Sequence, residues 1–515
     1  MSRKIYLSEG AFITGAPIEI TKDNLALHGQ GQLTTSISLA SGSDCDVIRS
    51  TATRTGIHLA DFSIAGNKAN QSSGVGIRGT RWGQSLIERV KILNTKETAM
   101  YMTYPSSANA GLTIRNCHIY MPDNAAIVID GHFQDVTVEH NYIDNPFQHA
   151  IAFNTAGGTC KNARVLYNDI FLHRSETQVV NLETISYPST GIHFNNSTGT
   201  LDRLWVVGNT ILRTQQQHTT DWISLFGIWI PLDATTKSLW ATEKFIISNY
   251  VGSMVHGTQT SGDGISVNGD NVTMIGNLSR DVDIGDGYVI GGEGADGAYY
   301  WTLIGNRALN NGGLGFLIGG GGVSEGAQRW TISGNFASGN GRDGMLLYGS
   351  HYNSITGNVM RGNTESGLTF GAGTTESGNN SVVGNVSVGN TRYGIEEIDA
   401  TNTNFYFNNQ LEANTIAPML IVGANSIARN NYPYLTEGSG TFSIANGATS
   451  AVITHGLSVT PALKNINITF GENPSNDPGN VWVDTIGATQ FTVHCRNDPG
   501  ASNLDGSWNV SLARG

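Results

Sequence analysis

A chain of 515 residues is long enough for two or three ordinary domains, yet 65 glycines and a charged fraction of only 14% depart from ordinary globular usage. Its net charge of −12 comes without a basic counter-patch, which argues against nucleic acid as a partner and makes a strongly anionic polymer a poor ligand. Cys45, Cys117, Cys160 and Cys495 are scattered without paired spacing or a histidine cluster, so they suggest neither zinc nor a disulfide scaffold, and no apolar run is long enough to span a membrane.

The first residues, Met1-Ser2-Arg3-Lys4-Ile5-Tyr6, lack the apolar core of a signal peptide. A protein of this kind that acts outside a cell is expected to leave by lysis or another route. Residues 1–56 then read as short strands (Ile5-Tyr6-Leu7, Pro17 to Ile20, Asn24 to Leu27) separated by turns. They are expected to cap a solenoid and supply its first strands, because an open end exposes unpaired backbone and core side chains.

From residue 57 to 435 one phrase recurs: an apolar residue, a small residue, Gly-Asn, a polar run, then Gly followed by alternating apolar positions. The pairs end at Asn277, Asn306, Asn335, Asn358 and Asn385, and are answered by Gly287-Tyr288-Val289-Ile290, Gly315-Phe316-Leu317-Ile318, Gly344-Met345-Leu346-Leu347, Gly367-Leu368-Thr369-Phe370 and Gly394-Ile395. Upstream the phrase is found at Asn249, Asn209, Asn168, Asn141, Asn116 and, more loosely, Asn67; downstream at Asn409 and Asn431. A period in the twenties with an Asn at each turn predicts a parallel β-solenoid of about a dozen coils. Each Asn amide is expected to bond its equivalents one coil above and below, and to tolerate the left-handed conformation of a sharp corner.

Two coils, Asn168 to Asn209 and Asn209 to Asn249, are much longer than the rest. Long excursions from a regular solenoid are where loops rise off one face, often the binding face. These carry Tyr187, Trp222, Trp229 and Trp240 rather than only small polar residues, which favours a functional wall.

After the break at Thr436-Glu437-Gly438-Ser439-Gly440, residues 436–515 change pattern. Six segments with period-two alternation, from Thr441-Phe442-Ser443-Ile444 to Ser507-Trp508-Asn509-Val510, are separated by Gly, Pro and Asn clusters. They predict a small antiparallel β-sandwich that binds carbohydrate or joins chains.

The opening Tyr6 to Ile13, the strand-turn from Ile18 to Gly31 and the Gly-Asn coils resemble the pectate-lyase-like right-handed parallel β-helix superfamily, and the small module after the helix is similar to phage tailspike depolymerases. The resemblance implies an all-β fold: a single-stranded right-handed parallel β-helix followed by a C-terminal β-sandwich. It also implies polysaccharide as substrate, a homotrimer, and a virion-associated or extracellular location. The Asn-Thr-Asp, Asp-Asp and Gly-His-Gly set of polygalacturonases is missing, as is the Tyr-Gly-Phe-Asp-Pro-His run of alginate epimerases.

Stacked coils turn equivalent positions into ladders about 4.8 Å apart. Aligning on the Gly that opens each answering strand puts His149, Thr190, Phe226, Asp263, Asp286, Leu314 and Asp343 in one column. Asp263 and Asp286 thus fall on successive coils. Two carboxylates so close repel, leaving one protonated as an acid and the other ionised as base or nucleophile. Asp-Gly is also ordinary turn chemistry, and Asp343-Gly344 repeats the dipeptide with no site in view. A neighbouring column reads Ala152, His193, Trp229, Ser266, Val289 and Leu317, with side chains expected to point outward. An indole beside carboxylates suits the C–H faces and hydroxyls of a sugar ring.

The residues selected as catalytic are therefore Asp263 and Asp286, with Glu293 and Asp296 of a Gly-rich loop as the next acids and Glu183 after them. His193, Trp229, Trp222, Tyr187 and His149 are selected as substrate-binding. Asp281, Asp283 and Asp286 match no calcium-loop spacing, and no metal or cofactor is expected. The function these residues point to is hydrolysis of a bacterial surface or extracellular polysaccharide. The alternatives are a polysaccharide lyase, whose base and cation would come from Tyr142, His149, His173, Arg174 and His193, and a glycan-binding fibre without activity.

Overall fold

The computed structural model describes residues 3–155, 158–172, 189–195, 200–213, 225–231, 243–253, 262–291, 298–319, 327–371, 377–471 and 474–512. Among them 43 strands hydrogen-bond into one continuous parallel array that winds up the chain in three-sided coils. The array begins at Arg3–Tyr6, which pairs with Leu25–His28. Later coils show the three faces plainly. Val272–Ile275, Thr302–Ile304 and Thr331–Ser333 stack on the first face, and Leu278–Arg280, Arg307–Leu309 and Phe336–Ser338 on the second. Ile265–Asn268, Tyr288–Gly291, Phe316–Ile318, Met345–Tyr348 and Leu368–Gly371 stack on the third.

Alternation along each short strand sends one set of side chains inward, where like meets like one coil on. Ile192, Ile228, Ile265, Tyr288, Phe316, Met345 and Leu368 make one such inward column, all fully buried. Tyr288 stacks on Phe316 with ring centres 4.5 Å apart, and Trp301 on Trp330 at the same distance. No coil could bury these side chains alone, so stability is shared between neighbours.

The asparagine ladder forms as the repeat predicts. From Asn141 through Asn168, Asn209, Asn249, Asn277, Asn306, Asn335, Asn358, Asn385 and Asn409 to Asn431, each amide Nδ2 donates to the Oδ1 of the next at 2.8–3.0 Å. The left-handed residue, however, is the one before each Asn: Gly276, Gly305 and Gly334 have φ of 64°, 63° and 62°. The Gly of each Gly-Asn pair makes the bend, and the Asn fills the corner behind it. Asn116 is placed one residue away from the expected position. It takes the bending role (φ 52°), while Cys117 occupies the ladder and its N–H donates to Asn141 Oδ1. The later coils carry two further ladders, Asn311-Asn340-Asn363-Asn390-Asn414 and Asn353-Asn380-Asn404.

Residues 437–511 form two three-stranded antiparallel sheets, with Glu437–Ile444 and Ile466–Phe470 flanking Leu504–Ser511, and Ser450–Thr454 and Val481–Asp484 flanking Gln490–Cys495. Phe442, Ile444, Phe491, Val493, Trp508 and Val510 fill the space between them. The expected sandwich is present.

Candidate active site on the third face

Register puts the predicted columns together. His149 pairs with Thr190 and Thr190 with Phe226. Ile228 pairs with Ile265, Ile265 with Tyr288, Tyr288 with Phe316 and Phe316 with Met345. Two residues before these lie Phe226, Asp263, Asp286, Leu314 and Asp343. Asp263 and Asp286 therefore sit one directly above the other, where the chain enters the third face.

Both carboxylates have a local task. Asp263 Oδ1 accepts the Asp286 N–H at 3.1 Å, and Asp286 Oδ1 accepts the Leu314 N–H at 2.6 Å. Asp343 does the same for Ser366 at 2.8 Å and also accepts the Thr369 hydroxyl at 3.0 Å. Asp46, in the same column near the start of the solenoid, accepts the Val75 N–H at 3.0 Å. An aspartate here satisfies a backbone donor of the next coil that the strand ladder leaves open. The following glycine is set by crowding: a Cβ on Gly264 would lie 1.9 Å from Ser279 Oγ and 2.7 Å from the Gly287 carbonyl.

What distinguishes Asp263 and Asp286 is that they are stacked on each other. Burial pushes the Asp263 carboxyl up to about 7, and the charge of Asp286 adds to the shift. Asp286 is raised by burial, with the Leu314 N–H and the nearby Arg342 charge acting against that. Asp263 is thus the member that keeps its proton to near neutrality. Asp343, buried without a carboxylate stacked directly on it, rises to about 6, burial again leading.

The second column also forms: Ala152 pairs with His193, His193 with Trp229, Trp229 with Ser266, Ser266 with Val289 and Val289 with Leu317. The two columns join in an aromatic group. His193 stacks on Trp229 at 4.6 Å with planes 7° apart, meets His149 at 4.6 Å, and Trp229 also stacks on Phe226 at 4.8 Å. His193 faces outward in register but is only 6% exposed, contrary to its expected surface position. Ring-on-ring packing from the coils on either side covers it.

Neither ring nitrogen of His193 has a hydrogen-bond partner, nor do His149 Nδ1 and Thr190 Oγ1. Leaving buried polar atoms without partners costs stability, so these atoms mark a locally strained part of the fold. Burial lowers His149 to about 4 and, with the neighbouring His149 charge, His193 to about 3, so both imidazoles are neutral at pH 7.

Of the residues selected from sequence, Asp263, Asp286, His149, His193 and Trp229 are gathered within five successive coils. Glu293, Asp296, Trp222 and Tyr187 lie outside the described residues, as do Glu183, His173, Arg174 and Trp240. Tyr142 is not with this group: it stands on the second face between His118 and Asp169. Thr190 and Phe226, aligned but given no role in the sequence, are part of the group, and Arg342 is the cation whose field reaches Asp286. Only the pairing register could have singled these out. Among the described residues no cluster of three His, Cys, Asp or Glu side chains is arranged to hold a metal, and no helix is long and apolar enough to cross a membrane.

The profile of the family described as "right handed beta helix region" matches residues 28–170 and 255–432, more than half of the chain. The chain belongs to the right-handed β-helix family. No curated protein sequence matches this β-helix protein. Solved structures similar to it include the A-module of a mannuronan C-5 epimerase from Azotobacter vinelandii, at 14% identity over 83% of this chain and 91% of that one, with a TM-score of 0.33. The catalytic unit of a GH87 α-1,3-glucanase from Streptomyces thermodiastaticus is 14% identical over 83% of this chain and 62% of its own, with a TM-score of 0.32. Tailspike protein 3 of bacteriophage CBA120 is 13% identical over 84% of this chain and 57% of its own, with a TM-score of 0.35. Likeness at this level carries no residue role across, and the chemistry of this β-helix protein rests on its own side chains.

Proposed function

We propose that this β-helix protein hydrolyses a polysaccharide on its third face, with Asp263 as the general acid and Asp286 as the nucleophile or base. The observation that carries the reading is the stacked carboxyl pair, of which Asp263 keeps its proton to about pH 7. An acid protonated at neutral pH beside a carboxylate is what protonation of a leaving glycosidic oxygen and attack at the anomeric carbon require. The adjacent Trp229 and Phe226 rings offer apolar surface to sugar C–H faces. Neighbouring coils stand ~4.8 Å apart, near the ~5–5.5 Å carboxyl separation of retaining glycosidases, so we favour retention.

A second reading, β-elimination, draws on His149 and His193. A neutral imidazole is free to take a proton alpha to a uronate carboxylate, but burial that lowers these two to about 4 and about 3 makes them weak bases, which places this reading second. A panel of polysaccharides separates the two. New reducing ends without ultraviolet absorbance from an unsaturated product support hydrolysis. Both signals together would transfer the assignment to the lyase, and binding with neither would leave a glycan-binding fibre. On the same footing we propose that the protein acts outside the cell or on a virion.

A further inference from the structure

The second face carries a groove of its own. Its strands His118–Tyr120 and Tyr142–Asp144 pair so that Lys91, His118 and Tyr142 form one outward row, and Leu93, Tyr120 and Asp144 the other. Ile92, Ile119 and Ile143 point into the core between the rows. These six outward side chains and Asn94 line a concavity of about 660 Å³, within the roughly 300–1,000 Å³ of small-ligand sites. The His118 ring meets Tyr142 edge-on at 4.6 Å and 85°, and Tyr142 lies 5.2 Å from Phe171 on the next coil. Tyr142 is held between these rings, and both tyrosines remain open, with Tyr120 36% and Tyr142 39% exposed.

We infer that this groove is a second saccharide-binding site, for the uncharged pyranose rings of a glycan chain. Tyr120 and Tyr142 stand on successive coils in adjacent rows, so their rings offer apolar surface at two points along the groove to the C–H faces of consecutive sugars. Lys91, Asp144 and the tyrosine hydroxyls supply donors and acceptors for sugar hydroxyls. Burial and the neighbouring Lys91 lower the His118 pKa, so that ring is neutral at pH 7. One lysine and one aspartate then leave the groove without net charge, which suits a neutral ring better than a uronate.

The groove lies one corner from His149, with Asp263 and Asp286 three and four coils further along the solenoid, ~14 and ~19 Å at the coil repeat. Asp144 closes the second-face strand of a coil, and His149 opens the third-face strand of the same coil. A glycan strand long enough to turn that corner and run along those coils reaches both, whereas a short one occupies either alone. The inference takes its substrate class from the hydrolytic reading, but its test is independent of cleavage.

The test uses the full chain carrying Asp263→Asn, titrated by calorimetry with maltohexaose, laminarihexaose and a mannan hexamer, with and without Tyr120→Ala and Tyr142→Ala together. Both tyrosines are surface residues, so folding should survive, and circular dichroism verifies it. At least one hexamer should bind, and the double substitution should weaken it about tenfold, while Trp229→Ala leaves that component in place. Unchanged affinity in the double variant overturns the groove and leaves the hydrolase reading intact. Loss of subunit association in light scattering with glycan binding preserved would make the face an interface between copies instead. If none of the three hexamers binds the parent, the assignment to neutral pyranoses fails.

Discussion

Replacing Asp263 by Asn should make the protein more stable and less active, with a pH dependence that identifies the cause. The folded carboxyl titrates at about 7 against 3.8 in the absence of its surroundings. Between those values the folded state holds a proton that the unfolded chain has released. Folding is therefore penalised progressively as pH rises through this window, and fully above it. At 1.36 kcal/mol per pH unit, the penalty is on the order of 1–2 kcal/mol at pH 5 and about 4 kcal/mol at pH 8. Asparagine removes it while its amide oxygen still accepts the Asp286 N–H.

At roughly 2 cal/mol/K per residue, a chain of 515 residues has an unfolding entropy of about 1 kcal/mol/K, so the Tm should rise by about 4 °C at pH 8 and about 1.5 °C at pH 5. The difference between variant and wild type is what must be read. His149 and His193, neutral in the fold, act in the opposite sense and withdraw stability as pH falls below about 6.5. Turnover should fall at least ~100-fold. Asp343→Asn is the control: it should show a similar rise in Tm through the loss of a carboxyl that titrates at about 6, with activity unchanged. A Tm difference for Asp263→Asn that does not grow from pH 5 to pH 8 would refute the raised pKa, and full activity would remove Asp263 from the mechanism.

Trp229→Ala should raise KM about tenfold with kcat changed much less, because its ring is expected to hold the sugar rather than the proton; an equal fall in kcat with unchanged KM would contradict this. The rate kcat/KM should decline above about pH 7 as free-enzyme Asp263 loses its proton, and the first product seen by NMR should retain its anomeric configuration. Asn306→Ala should cost on the order of 2–4 kcal/mol, measured by denaturant unfolding, because it strands the buried Asn277 backbone N–H, removes the donor to the Met274 carbonyl and takes one of two partners from Asn277 Nδ2 and from Asn335 Oδ1. Light scattering should return about three times the 54.9 kDa of one chain, since the sandwich leaves Val452, Phe470 and Trp482 exposed; removing residues 438–515 should lower that mass, and a single-chain mass would exclude the trimer.

The architecture was written in the repeat. Recurring Gly-Asn pairs specify both the bend and the amide that fills it, and Tyr288, Phe316, Met345 and Leu368 specify an inward column, because these are local properties of one coil multiplied by stacking. The same counting put Asp263 over Asp286 and His193 beside Trp229, since in a solenoid sequence register is spatial register. What counting could not supply is environment. Asp263, Asp286 and Asp343 share one dipeptide and, like Asp46, accept an N–H of the next coil, but only packing raises the proton affinity of Asp263 to about 7. Nor could it show that His193 is covered while facing outward, or that Tyr120 and Tyr142 share a groove with Lys91 and Asp144 on another face. Periodicity is carried by each residue and its near neighbours in the chain, whereas burial, charge coupling and concavity depend on side chains brought together from different coils and exist only once the coils have stacked.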